Sequence, residues 1–243
     1  MERSNQELEN FAYVASHDLR SPLRGIDNLA TWIEEDVGDQ LGEEATKHLV
    51  LMRQRVNRME ALLDSILKYS RVGRKEEMES QVDMNELLDD VVFLLEKPAE
   101  FIVSVSSGLP TIVAPRPALE RVFANLIDNA IKHHDRPDGR VEIGYRLGSG
   151  RHEFTIKDDG PGIPLAFHDR VFGMFQTLKS RDSVEGSGMG LAMVKKTVEV
   201  FGGAISLQSS PGEGAEFTVF WPSHGNPTRY DEKSNQENQS AVL

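Results

Sequence analysis

The first seventy residues carry a helical rhythm almost without interruption. Leu19, Leu23, Ile26, Ala30, Ile33 and Val37 recur at spacings of 4, 3, 4, 3 and 4. Leu49, Met52, Val56, Met59, Leu63 and Ile66 recur at 3, 4, 3, 4 and 3. Both runs are heptad seams, which predict two long helices. The break between them, Gly38-Asp39-Gln40-Leu41-Gly42, is short, so the helices should fold back antiparallel. Two helices cannot enclose a core. Pairing with a second copy into a four-helix bundle solves this and makes a homodimer the natural expectation. The alternative is packing of the hairpin on the C-terminal half of its own chain.

After Gly73, a good helix stop, the pattern changes. Asp83-Met84-Asn85-Glu86 has capping-box spacing and predicts a helix to about Lys97. Phe101–Val105 and Thr111–Ala114 read as short strands around the Gly108-Leu109-Pro110 turn. Pro117 suits the first turn of a helix through about His133. Val141–Leu147 and His152–Lys157 alternate like a hairpin around Gly148-Ser149-Gly150. A helix near Gly190–Phe201 follows a glycine-rich stretch, and Ala204–Gln208 with Glu216–Trp221 form a last strand pair. Helices and mainly antiparallel strands without regular β-α-β alternation predict an α+β layered fold. The expected organisation is therefore a hairpin over 1–73, an α+β domain over 74–222 and a polar, disordered tail over 223–243.

Composition narrows the function. The 243 residues include 27 Lys and Arg against 39 Asp and Glu, a formal charge of −12. That balance speaks against a nucleic-acid surface or a polybasic membrane patch. The chain has no cysteine, which removes thiolate metal sites and thiol catalysis. No apolar run approaches the roughly 18–20 residues that span a bilayer, and the start lacks the basic and apolar parts of a signal peptide. A cytoplasmic location is expected for this segment, without membrane contact or nucleic-acid partner.

Three segments could carry chemistry. In the helix ending at His133, Phe123, Leu126, Ile127, Ala130 and Ile131 form an apolar stripe, and Asn125, Asn129 and Lys132 cluster opposite it. Asparagine is a weak helix former, so two aligned mid-helix suggest a ligand, such as a hard cation with phosphate oxygens, rather than a plain solvated face. Asp158-Asp159-Gly160-Pro161-Gly162 follows a strand, placing a carboxylate beside glycines that let backbone approach a flat ligand; a simple turn is the bland alternative. Gly186-Ser187-Gly188-Met189-Gly190-Leu191 opens a helix, where amide groups and the dipole suit phosphate. No P-loop or dinucleotide fingerprint is present.

His17 is the remaining candidate. On a helical wheel it points away from the Leu19–Val37 seam, toward solvent, with Asp18 beside it and Pro22 five residues on. His48, His133, His134, His152, His168 and His224 lack such a setting and read as ordinary surface or packing residues.

Together, and in order, these segments resemble the N, G1, F and G2 boxes of sensor histidine kinases: Asn125 to Lys132, Asp158 to Gly162, Val171-Phe172-Gly173-Met174-Phe175 and Gly186 to Leu191. Phe11 to Leu23, around His17, is similar to the family's phospho-acceptor H-box, and the run from Phe175–Lys179 through Lys195-Lys196 resembles the subgroup of phytochrome-like and related bacterial sensors. The resemblance covers residues 5–222. It implies a dimerisation and phosphotransfer hairpin followed by an ATP-binding α/β sandwich of the gyrase, Hsp90 and histidine-kinase type. It implies Asp158 for the adenine amino group, Asn129 for Mg²⁺ with Asn125 nearby, and Lys132 for phosphate. Gly160 and Gly162 would shape the base pocket. Gly186, Gly188, Gly190 and Leu191 would belong to the lid, and Phe172 and Phe175 would anchor it; Lys179 or Arg181 are weaker candidates for phosphate.

In that family His17 is the nucleophile and the phosphorylated residue, and Asp18 orients and activates its ring. The phosphoryl group passes to an aspartate of a response-regulator receiver domain, under control of a sensor domain that this chain does not contain. The parent protein could be membrane-anchored by a segment outside this chain. Ser21 departs from the Thr or Asn usual four residues after the histidine, which puts phosphatase activity in doubt. The competing readings are a gyrase- or Hsp90-like ATPase and a non-catalytic dimeric nucleotide-binding module.

Overall fold

The computed structural model describes residues 2–73, 77–148, 150–177 and 187–223, without the side chains of 2–15, 17 and 39. The charged stretch at 74–76, the residues Lys179, Arg181 and Gly186 expected in a lid, and the tail beyond Ser223 lie outside the described residues. The chain divides into two compact units, Met1–Val72 with Glu185–Met189, and Gly73–Val184 with Gly190–Leu243.

In the first unit, helix α1 (Glu2–Val37) and helix α2 (Glu43–Arg71) flank a 3₁₀ turn at Gly38–Gln40. Helix α1 continues through Pro22. Leu23, Val56 and Leu63 form a small buried cluster, and Ala30 is fully buried. Arg20 pairs with Asp64 at 2.5 Å, and Arg53 reaches Glu34 at 3.0 Å and Asp27 at 3.4 Å, tying the helices together. The rest of the α1 seam stays open: Leu19, Ile26, Ile33 and Val37 are exposed, as are Leu29 and Trp32. One hairpin buries too little of its own apolar surface to satisfy both seams.

The second unit contains β1 (Ser80–Asp83), α3 (Met84–Leu94), β2 (Ile102–Val105), β3 (Thr111–Ala114) and α4 (Arg116–His133). It continues with β4 (Arg140–Gly148), β5 (Arg151–Asp158), α5 (Gly190–Val200), β6 (Ala204–Ser209) and β7 (Ala215–Pro222). Five strands form one sheet in the order β2-β4-β5-β7-β6, with β2 parallel to β4 and the other pairs antiparallel. Helices α3, α4 and α5 cover one face. Leu119, Phe123, Leu126 and Ile127 of α4 and Val194 and Val198 of α5 meet Ile143, Phe154, Ile156, Phe217 and Val219 in one core. Each such side chain stabilises by about 1.5–3 kcal/mol when removed from water.

Two local readings need correction. The strands on either side of Gly108-Leu109-Pro110 do not pair with each other: β2 joins β4, while β3 pairs with β1, a strand the sequence pattern did not reveal. The connection is drawn into the core instead, because Leu109 is buried and the Pro110 carbonyl accepts from the Met84 amide at 3.2 Å. Helix α3 stops at Leu94, short of Lys97, and Leu95 is already extended. Pro98 disfavours helix at the residue before it, and Lys97 turns its ammonium onto the Phe101 carbonyl at 2.9 Å. At the other end Asp83 caps α3, accepting from the Asn85 amide at 2.8 Å.

Candidate functional site

A cavity of about 330 Å³ opens in the second unit where the C-terminal part of α4 meets the end of β5 and the start of α5. Its lining is mostly apolar, with Ile163, Phe167, Val171, Leu191 and Phe217 among its walls. The polar groups are few, which suits a flat, largely apolar ligand with a small number of recognition atoms.

Asp158 is the last residue of β5 and lines this cavity. Its Oδ1 accepts from the Gly160 amide at 3.0 Å and from the Ala215 amide at 3.2 Å. Oδ2 has no hydrogen-bond partner among the described residues, so one carboxylate oxygen is spent on the loop and the other is left for a ligand of the cavity that Asp158 lines. Burial pushes this carboxyl above the usual carboxylate value, although the two amides pull it back down. The loop geometry depends on two glycines with positive φ. A Cβ on Gly162 (φ 69°) would lie 2.0 Å from the Ser210 carbonyl oxygen, and one on Gly214 (φ 75°) 2.0 Å from that of Asp158. Gly214 and Ala215 were not candidates from sequence, since they lie more than fifty residues from Asp158; the Pro211-Gly212-Glu213-Gly214 turn signal was the available hint.

Adjacent Asp159 has a different role. Its Oδ1 accepts from the Arg140 amide at 2.7 Å and from His134, and its Oδ2 accepts from Arg136 at 2.7 Å. Burial alone would raise this carboxyl, but the Arg140 amide, His134 and Arg136 together hold it below the usual range. His133 and His134 both line the cavity. His134 is a packed residue, edge-on against Phe101 at 5.3 Å with a side chain 1% exposed; its position beside the cavity, directly after the Asn125–Lys132 segment, is what the sequence pattern did not reveal.

The other candidates are distributed unevenly. Asn129, Gly162 and Leu191 line the cavity together with Asp158. Asn129 is half-buried, and its side chain makes no hydrogen bond among the described residues. Asn125 does not line it; its Nδ2 donates to the Arg121 carbonyl at 2.6 Å, and its Oδ1 faces the first residue of α5, where a Cβ on Gly190 would come within 3.0 Å. Lys132 is exposed and pairs with Asp128 at 2.7 Å. Gly160 sits behind the lining, against Asp158 and His134. Phe172 packs edge-on against Phe217 at 6.2 Å, whereas Phe175 is exposed with a φ of 61°. Gly188, with a φ of 66°, precedes α5. His17 lies within α1, its side chain outside the described residues, and Asp18 is exposed beside it.

Comparison with known proteins decides the family. Residues 7–75 match the model of the His Kinase A (phospho-acceptor) domain. Residues 114–225 match that of the histidine kinase-, DNA gyrase B-, and HSP90-like ATPases. The chain belongs to the sensor histidine kinases. The phospho-acceptor match separates this kinase core from the gyrase and HSP90 branches of the ATPase group.

The core is 37% identical over 222 residues to cyanobacterial phytochrome B of Nostoc sp., covering 89% of this chain and 30% of that protein. It is 36% identical over 220 residues to the phytochrome-like protein Cph1 of Synechocystis sp., covering 89% and 29%. The chain thus spans less than a third of the length of these relatives. Among solved structures, full-length ShkA in complex with AMPPNP is 27% identical with a TM-score of 0.65, covering 90% of this chain and 47% of that one. The mycobacterial sensor histidine kinase MprB is 29% identical with a TM-score of 0.53, covering 62% and 99%.

The residues present in the kinase core fit a nucleotide and a hard cation. A carboxylate oxygen without a partner on a half-buried Asp158 can accept from an exocyclic amine, and an amide oxygen without a partner is the kind of neutral ligand Mg²⁺ takes beside phosphates. Lys132 is held by an exposed ion pair alone, which contributes at most about 1 kcal/mol and can be given up for phosphate. Among the described residues, no helix is long and apolar enough to cross a membrane.

Proposed function

We propose that this chain phosphorylates its own His17 from ATP and passes the phosphoryl group to an aspartate of a response-regulator receiver domain. One observation carries most weight: the cavity in which Asp158 offers a free carboxylate oxygen and Asn129 an unpartnered amide, on the same chain as a phospho-acceptor match that contains His17. ShkA, solved with AMPPNP, supports ATP as the donor. The proposed division is residues 1–73 for dimerisation and phosphotransfer and 74–222 for ATP binding.

In this reading the adenine lies in the cavity with its amino group donating to Asp158 Oδ2. Gly160 and Gly162 allow the loop backbone close to the base, and Leu191 closes the apolar wall. The triphosphate would run toward the N-terminus of α5, whose first residue is Gly190; Gly186 and Gly188 are the proposed glycines of the lid, with Phe172 and Phe175 as its proposed anchors. Mg²⁺, held by Asn129 with Asn125 close by, would neutralise phosphate charge; Lys132 adds its ammonium. A ring nitrogen of neutral His17 attacks the γ-phosphorus, the bond to the β–γ bridging oxygen breaks, and ADP leaves. Asp18 takes up the charge developing on the ring's other nitrogen. Asn129→Ala should leave ADP binding in chelator nearly unchanged and remove most of the affinity gained with magnesium, about tenfold, in a titration with and without the metal. Unchanged magnesium dependence would remove Asn129 from the metal role.

The open α1 seam supports a homodimer. Ile33→Asp places a charge on that seam and should convert the dimer to monomer at micromolar concentration in sedimentation analysis, since burying an unpaired carboxylate costs several kcal/mol. A dimer retained at wild-type strength would move the interface elsewhere. The reading as a whole is tested by incubating the chain with γ-labelled ATP and then with receiver domains. Acid-labile label that appears on the kinase and moves to a receiver supports it; no label on the kinase refutes it.

A further inference from the structure

His134 is buried to 1% side-chain exposure, yet both of its ring nitrogens are engaged. The Arg136 amide donates to Nδ1 at 3.1 Å, which leaves the proton on Nε2, and Nε2–H donates to Asp159 Oδ1 at 2.9 Å. The ring is also fixed by shape. It meets Phe101 edge-on at 5.3 Å, a Cβ on Gly139 would lie 2.5 Å from it, and one on Gly160 would lie 3.3 Å away. His134 follows the last residue of α4, the helix that carries Asn129, and Asp159 follows Asp158. The imidazole therefore links the two cavity walls that bear the recognition groups. The other tie between these segments, Arg136 to Asp159, is half-exposed on both sides and contributes little by comparison.

We propose that His134 is a positioning residue for the base: by fastening the loop after β5 to the end of α4, it holds the Asp158 carboxylate at a fixed place opposite Asn129. The proposal rests on the nucleotide reading of the cavity. A packing role alone would need only an apolar ring at this place. A positioning role needs the Nε2–H, because rotation of Asp159 would carry the adjoining Asp158 and Gly160 with it.

The test measures ADP and GDP binding by calorimetry, in chelator, to the full chain, with the unfolding midpoint of each variant followed by circular dichroism. His134→Phe keeps a ring against Phe101 but loses both polar contacts; His134→Gln keeps an N–H near the position of Nε2. His134→Phe should weaken ADP about tenfold and narrow the preference for ADP over GDP, while His134→Gln should stay within about threefold of wild type on both counts. Wild-type affinity and selectivity in His134→Phe would overturn the proposal, as would equal losses in the Phe and Gln variants. Asp158→Asn is the control: if it binds ADP like wild type, the nucleotide reading of the cavity fails and the proposal falls with it. A loss in Asp158→Asn beside an unaffected His134→Phe leaves that reading standing and removes His134 alone.

Discussion

His17→Gln is expected to reduce labelling from γ-labelled ATP to background, a loss on the order of a thousandfold or more, because glutamine has similar reach and polarity but no nucleophilic nitrogen lone pair. The same variant should bind ADP within about twofold of wild type, since the ATPase-like match spans residues 114–225 and does not include position 17. The wild-type label should be lost in acid and kept in base, as expected of a phosphoramidate. Wild-type labelling in His17→Gln would remove His17 as the acceptor, and an acid-stable label would point to a hydroxyl instead. Asp18→Asn should lower the rate without abolishing labelling, because it acts on the ring rather than on phosphorus.

Asp158→Asn should weaken adenine nucleotides about a hundredfold. Two amides, from Gly160 and Ala215, already fix the orientation of Oδ1. The new NH₂ must then occupy the Oδ2 position and face the adenine amino group, donor against donor. A base with a keto group there should suffer less, so the ratio of ATP to ITP affinity should collapse in competition experiments; an unchanged ratio would sink the assignment. The pH dependence follows from the same carboxyl. Burial raises its pKa, and because Oδ1 accepts two amides a proton would fall on Oδ2 and turn it from acceptor to donor, so affinity should be full above that raised value and fall as pH drops through it. Protein stability responds with the opposite sign. Ionisation of Asp158 opposes folding, so its stabilising contribution is present at low pH and is lost as pH rises through the raised value.

Much of the architecture was legible because its signals are local. The two heptad seams, the short Gly38–Gly42 break, the Asp83 cap, the hairpin at residues 148–150 and the glycine-led α5 each depend on residues within a few positions of one another. Sequence also grouped Asn129, Asp158 and Leu191, which the fold brings to one cavity. It was less informative where partners are remote. β1 has one buried side chain, Val82, and exists because β3 lies beside it thirty residues later. Lys132 and Asp128 share a helix face with Asn125, but helical angle alone does not say that ammonium and carboxylate meet each other first.

Asp158 and Asp159 show the boundary most clearly. The sequence determined that a strand ends in two carboxylates followed by a glycine loop, and that a helix with two aligned asparagines belongs with them. Only the tertiary structure decided which carboxylate is available. Asp159 is satisfied by Arg140, Arg136 and the buried His134, while Asp158 spends one oxygen on Gly160 and Ala215 and keeps the other. Apart from the Gly160 amide, two residues on, that outcome depends on groups delivered by separate elements, from nineteen to fifty-seven residues away. Hydrophobic periodicity records which face of an element is buried; it does not record which hydrogen-bond donor will be waiting there.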